Sequence, residues 1–257
     1  MEKMLKRNYL ITENSSFFRK FEGLVWWSLL RHKYLLPTFS VVQAFLSLAI
    51  VYGLALLIPN IHGEEATYLS SGAVVIGIIA VGCVLAAQIV STARQDGVIA
   101  YQQTLPVKRY EIILADLIIW SLASLPGIVV ACIASILRFH ISLYVTLLSV
   151  LIVIIIQITM ILIGFLIAYW LPLNIVALAT QVIMIGGLLF SPITYPQDRL
   201  PGWLSSVYNF LPFVPASNLV RSTMFKLGDF KYMDLMIVLF WAILAFYGSN
   251  RALNRRG

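Results

Sequence analysis

Residues 144–170 read YVTLLSVLIVIIIQITMILIGFLIAYW, and residues 171–192 continue as LPLNIVALATQVIMIGGLLFSP, with no charged side chain in either stretch. A helix crosses a bilayer with about 20 apolar residues, roughly 17 to 25, so together they are too long for one crossing and long enough for two. Proline removes a helix hydrogen bond and restricts the residue before it. Leu171-Pro172 therefore predicts a tight turn between spans over 144–170 and 173–192. These blocks set the fold class, an all-α polytopic membrane protein.

On either side of these blocks four further segments are long and apolar enough to cross, 37–58, 69–92, 113–136 and 232–249, which makes six spans in a single transmembrane domain over 1–257. Composition agrees. Of the residues 60% are hydrophobic and 11% charged, with mean hydropathy +0.91, whereas a soluble domain is about half apolar and roughly a quarter charged. Cys83 and Cys132 both fall inside apolar blocks, as packing residues would, and suggest neither a disulfide framework nor a metal site. Met1 to Asn14 is polar and leads into no short apolar core with a cleavage site, so no signal peptide is expected.

A net charge of +7 would suggest nucleic acid in a soluble chain, but in a membrane protein the positions of Lys and Arg matter more than their sum. With the N-terminus inside, 13 of the 18 Lys and Arg lie on the cytoplasmic side, among them Arg94, Lys108, Arg109 and Arg251. The outer side holds Arg138, Arg199, Arg221, Lys226 and Lys231. Both termini are thus expected in the cytoplasm.

Two segments are neither spans nor polar loops. Residues 15–33 set Phe17, Phe18, Phe21, Leu24, Val25 and Leu29 on one helical face, with Arg19, Lys20 and Glu22 elsewhere and Trp26 and Trp27 nearby. That pattern suits an amphipathic helix lying in the membrane interface rather than an extension of the first span. Residues 193–231, at whose start and within which Pro192, Pro196, Pro201, Pro212 and Pro215 fall, also carry Phe210, Phe213, Leu219, Met224 and Phe225. Pro201 and Pro215 are placed to open short helices and Gly228 to close the second. A pair of helices partly sunk in the outer leaflet or a re-entrant hairpin is expected, since irregular backbone at depth needs protein or a water-filled cavity around it.

The chemistry that is missing narrows the function. None of the 15 glycines precedes a lysine, so the chain has no phosphate-cradling Gly-Lys loop. His32, His62 and His140 sit at or beyond span ends, which speaks against a metal or serine protease within the membrane. The span centres hold no ionisable residue, and Asp116 and Asp234 lie near span ends, where they are expected to reach the interface. Ion-coupled carriers keep such groups within the bilayer, so energy is expected to arrive mechanically from outside it.

The segment between the second and third spans, Arg94-Gln95-Asp96-Gly97 through Tyr101 to Leu105-Pro106-Val107-Lys108-Arg109-Tyr110-Glu111, reads as a short amphipathic helix, a Leu-Pro turn, a basic pair and a helix restart. It resembles the acidic-Gly stretch and the (Thr/Leu)-Pro-Val-(Lys/Arg)-Arg-x-Glu-Ile element of ABC-2 type exporter permeases. Phe190-Ser191-Pro192-Ile193-Thr194-Tyr195-Pro196, Leu200-Pro201-Gly202-Trp203-Leu204, Pro212 and Arg221 resemble that family's second signature. Gln95-Asp96-Gly97 departs from the commoner form, which has Glu and a following Gly-Thr, and so bears on the docking contacts.

The resemblance implies a prokaryotic plasma-membrane exporter of two permease units, identical or paralogous, joined to two cytoplasmic ABC ATPase subunits. This chain would bind no cofactor, with ATP and Mg on the partner, and would itself be no enzyme. The amphipathic helix and residues 94–111 would dock on the ATPase through Arg94, Gln95, Asp96, Gly97, Tyr101, Leu105 and Pro106, while Pro212, Phe213 and Arg221 would belong to an outer gate. Within the spans, Gln43 and Gln88 read as interhelical glue, and Gln157 and Gln181 as either glue or a substrate path. Ala123, Gly127, Ala131 and Ser135 form a small-residue ridge suited to close packing. The apolar span centres favour a hydrophobic or amphipathic cargo such as a drug, a lipid-like compound or an antimicrobial peptide, with multidrug resistance as the associated role. A membrane-embedded enzyme and a non-transporting scaffold or sensor are the rival readings.

Overall fold

A computed structural model describes residues 17–57, 63–197 and 200–254, so His62, Asp198 and Arg199 lie outside the described residues. The elements are α1 (Phe17–His32), α2 (Leu35–Gly53, continuing through Leu54–Leu57), α3 (Glu64–Gln95), α4 (Val98–Thr104) and α5 (Arg109–Phe139). They are followed by α6 (Leu147–Trp170), α7 (Leu173–Phe190), α8 (Gly202–Phe210), α9 (Phe213–Met224) and α10 (Tyr232–Asn254). The described residues contain no strand. Six helices, α2, α3, α5, α6, α7 and α10, are long and apolar enough to cross a membrane.

Because successive spans alternate in direction, the bundle has two ends. One carries α1, α4 and the Leu171-Pro172 turn, which the structure makes with two extended residues between α6 and α7. The other carries Gly63, the 140–146 loop, α8 and α9. They are called below the α4 end and the α9 end.

At the centre α3 crosses α6 with backbone against backbone. A Cβ on Gly164 would lie 2.0 Å from the Gly82 carbonyl oxygen, and one on Gly82 2.7 Å from the Met160 carbonyl carbon. Gly82 falls in a π-helical turn, Ala80–Leu85, and the Cys83 thiol donates to the Met160 carbonyl at 3.3 Å. Small residues at a crossing let two backbones gain dispersion contacts that lipid would otherwise supply.

The ridge on α5 packs against α2. Ala123, Ala131 and Ser135 are buried, and Gln43 of α2 fills the notch at Gly127, whose absent Cβ would meet the Gln43 side chain at 2.2 Å. Gln43 Nε2 donates to the carbonyls of Gly77 (3.2 Å) and Ser124 (3.1 Å), and Ser47 Oγ donates to Gly127 O at 3.0 Å. The two α5 acceptors, Ser124 O and Gly127 O, flank Pro126, which sits inside α5. A proline is tolerated in a spanning helix where neighbouring helices supply polar partners.

Two details differ from the sequence reading. Pro215 does not open α9: the helix starts at Phe213 after Pro212 and takes Pro215 into its first turn, where backbone N–H groups have no helical partner to lose. Asp116 is not turned out to solvent either. It is 2% exposed because α1 folds over it.

Candidate functional site

The element expected to meet a soluble partner is built from the chain's own caps. Gly97 has φ +77°, a left-handed conformation that favours glycine, and it separates α3 from α4. At the other end of α4, Arg109 donates to the carbonyls of Gln102 (3.3 Å) and Gln103 (2.8 Å), while the Lys108 backbone N–H donates to Glu111 Oε2 at 3.3 Å. The basic pair and the glutamate of the Pro-Val-Lys-Arg-x-Glu element thus close one helix and open the next. Gln103 Nε2 donates to Leu253 O at 3.0 Å and ties α4 to α10.

The two segments expected to meet an ATPase are joined to each other. Leu24 of α1 packs with Ile112 and Ala115 of α5, flanked by Phe21, Val25, Leu105 and Val107. Beside this small core Ser28 Oγ donates to Asp116 Oδ1 at 2.5 Å, and Arg31 Nη2 approaches the same oxygen at 3.5 Å. His32 Nδ1 donates to Ser28 O at 2.9 Å, and its ring meets Trp120 edge-on at 5.5 Å. Burial, and then the Arg31 charge, hold the His32 pKa below its usual value.

Of the residues singled out there, Gln95, Asp96, Gly97, Tyr101 and Pro106 are exposed and Leu105 is half-buried. Arg94 does something else: from the end of α3 it reaches the last carbonyls of α6. Gln102, Gln103, Arg109 and Glu111 hold the ledge in place; the basic pair and the helix restart marked Arg109 and Glu111 in the sequence, and nothing marked the two glutamines.

The four span glutamines separate. Gln88 Nε2 donates to Thr180 Oγ1 of α7 at 3.0 Å, and Gln157 Nε2 donates to Ser124 Oγ of α5 at 2.7 Å, so both join helices. Gln157 also lines an apolar groove between α5 and α6. Gln181 is exposed on α7 among Leu178, Val182 and Ile185. The two residues read as a path are therefore not brought together.

At the α9 end, Pro212 is buried and Phe213 half-buried. Arg221 is 5% exposed. Its guanidinium spreads over three acceptors: Nε donates to Ser71 Oγ (3.2 Å), Nη1 to Asn218 Oδ1 (3.0 Å) and Nη2 to Ile193 O (2.9 Å). The Tyr68 ring lies 3.8 Å from Cζ. The Ile193–Thr194 backbone in turn fits against Gly72, where a Cβ would lie 2.9 Å from Ile193 O. A cavity of about 490 Å³ beside Arg221 is lined by Glu64, Asn218, Asp229, Lys231 and Asp234.

Six helices able to cross a membrane, with an ordered helical ledge at one end and a buried arginine clasp at the other, make this a multi-pass membrane protein. The profile of the ABC-2 type transporter family matches residues 24–225, and the chain belongs to that family as a permease component of an ABC transporter. Curated proteins give no match.

Proposed function

We propose that the chain is the permease subunit of an ATP-driven exporter for hydrophobic or amphipathic molecules in a prokaryotic plasma membrane. The α4 end and both termini face the cytoplasm, as the Lys and Arg distribution favours. A separate ABC ATPase carries ATP and Mg, and a second permease unit completes the path. The observation that carries this reading is the shared core of α1, Leu105, Val107 and the start of α5. It makes the Gln95–Pro106 ledge, with its exposed Gln95, Asp96, Gly97, Tyr101 and Pro106, one body with a spanning helix, so a push on the ledge moves the helix. α1 lies in the interface with Trp26 exposed, and α8 and α9 form the outer hairpin that closes the exit.

The test is reconstitution with the partner ATPase and a screen for compounds that stimulate hydrolysis. Gly97→Pro with Arg94→Glu should abolish stimulation while the protein stays inserted. Stimulation equal to the parent's would remove the ledge from the coupling route.

A further inference from the structure

We infer that the α9 end of the α5/α6 groove is a binding site for an anionic phospholipid of the adjoining leaflet. The groove has a volume of about 900 Å³ and walls that include Val129, Ile133 and Ile136 of α5 and Val150, Val153 and Ile154 of α6. Val129 and Ile133 are each about half exposed, at 52% and 51%, without any protein cover in the single chain. In a bilayer such walls face acyl chains.

What selects the occupant is the groove's end. His140, Ile141 and Ser142 line the groove and also line a second cavity of about 810 Å³, so the two spaces adjoin there. That second cavity is polar. Arg138, His140 and Lys226 bring cationic or titratable groups to it, Tyr144 adds a phenol, and Glu64 is the one carboxylate among the described residues on its wall. The N-terminal turn of the 32-residue α3, which carries Glu64 and Glu65, also opens onto it, through Gly63, Glu64 and Thr67. Helix N-termini and basic side chains both favour an anion. A ligand that matches both halves has a long apolar tail and a negatively charged head, which is the chemistry of an anionic phospholipid.

The head pocket is preformed. His140 and Lys226 both adopt left-handed backbone conformations, φ +53° and +52°, which side-chain-bearing residues seldom take. The loops that carry them are pinned together by the Tyr144 N–H, which donates to Met224 O at 2.9 Å, and by Lys226 Nζ, which lies 3.6 Å from the Tyr144 ring centroid. This site is separate from the Arg221 clasp and from the ledge. A lipid there would be a resident ligand, whichever cargo the complex carries.

Native mass spectrometry of the full chain in micelles holding equal amounts of phosphatidylglycerol and phosphatidylcholine with the same acyl chains tests this. The phosphatidylglycerol adduct should predominate by about fivefold or more, as attraction by one or two surface cations would give. Arg138→Gln with Lys226→Gln should bring the ratio near one, Glu64→Gln should raise it, and Ile133→Trp should reduce both adducts by filling the groove. Should the double variant fold poorly, Lys226→Gln alone should still lower the ratio. Equal adducts in the parent, or an unchanged ratio in Lys226→Gln, would overturn the site. An excess of inorganic phosphate should leave the ratio as it is. Loss of the preference would assign the pocket to a free anion, and a dimer peak bare of lipid would assign the groove to a second copy, each of which would overturn the lipid reading.

Discussion

Arg94, at the end of α3, donates from Nη1 to the carbonyls of Ala168, Tyr169 and Leu171 at 2.9, 2.7 and 3.3 Å. One guanidinium therefore caps the end of α6, where carbonyls lack helical partners and the helix dipole favours a cation. The same residue precedes the ledge, so the second and fourth spans and α4 share one joint.

Arg94→Gln should lower the stability of the purified chain in detergent by about 1 kcal/mol, below the roughly 1.5–3 kcal/mol of a hydrogen bond to a charged group because the residue is exposed. Arg94→Lys should lie between the two, since an ammonium presents its donors from a single point. A denaturation midpoint unchanged by Arg94→Gln would show that water serves the α6 carbonyls equally well.

The joint between α1 and α5 depends on a carboxylate taken out of water. Ser28→Ala removes its shortest hydrogen bond and should cost about 1–3 kcal/mol, the penalty of a buried polar group left short of partners. Adding Asp116→Ala should cost less than the sum of the two single changes, because each removes the same contact. Additive effects in that cycle would show the contact to be energetically idle.

Low pH should loosen the same joint. His32 has a folded pKa below its usual 6.5, so on acidification the unfolded chain takes up its proton first. Stability from neutral His32 is present above pH 6.5 and falls as the pH drops through that value. Proteolysis of α1 should accelerate on that side, and in His32→Phe the acceleration should be weaker.

Gly127 and Gln43 occupy one space. Gly127→Ala should cost about 1–3 kcal/mol through overpacking, and the cost should shrink in a Gln43→Ala background where the notch is vacant. Gly164→Ala has no such remedy, since its Cβ would meet the Gly82 backbone oxygen. Gly23→Ala, with nothing within 4 Å, should instead stabilise α1 by about 0.5–1 kcal/mol. Thermal midpoints of the three single variants in one detergent check the order.

The difference between these glycines marks what the sequence could say. The α5 ridge was legible because Ala123, Gly127 and Ala131 repeat every fourth residue, a period that one helix imposes on itself. Gly164 stands alone in an aliphatic run, and its role depends on a π turn in another helix. The Leu171-Pro172 turn and the caps around α4 are local and were readable. Arg94, Ser28 and Asp116 act on partners 74 to 88 positions away, so along the chain Arg94 reads as a topology charge and a docking residue, Asp116 as a span-end acid, and Ser28 carries no signal. Gln157 and Gln181 looked alike because hydropathy carries no information about which neighbour a helix faces.

The buried Arg221 offers the sharpest test of the outer gate. Its three donor nitrogens serve acceptors in three directions while its plane lies against Tyr68, a geometry that lysine cannot copy. Arg221→Lys should therefore resemble Arg221→Ala more than the parent. Single cysteines at Met224, which is 7% exposed, and at Asp229, which is exposed, can be probed with an impermeant thiol reagent in a background lacking Cys83 and Cys132. In the resting parent Asp229→Cys should label and Met224→Cys should not. If α9 moves with the transport cycle, trapping the partner ATPase with nucleotide should expose Met224→Cys, because alternating access needs two arrangements of the exit. Arg221→Ala should expose it without nucleotide, by releasing α9 from Ser71 and Ile193. Labelling of Met224→Cys that stays low under every one of these conditions would leave the clasp a static part of the fold and remove it from the gate.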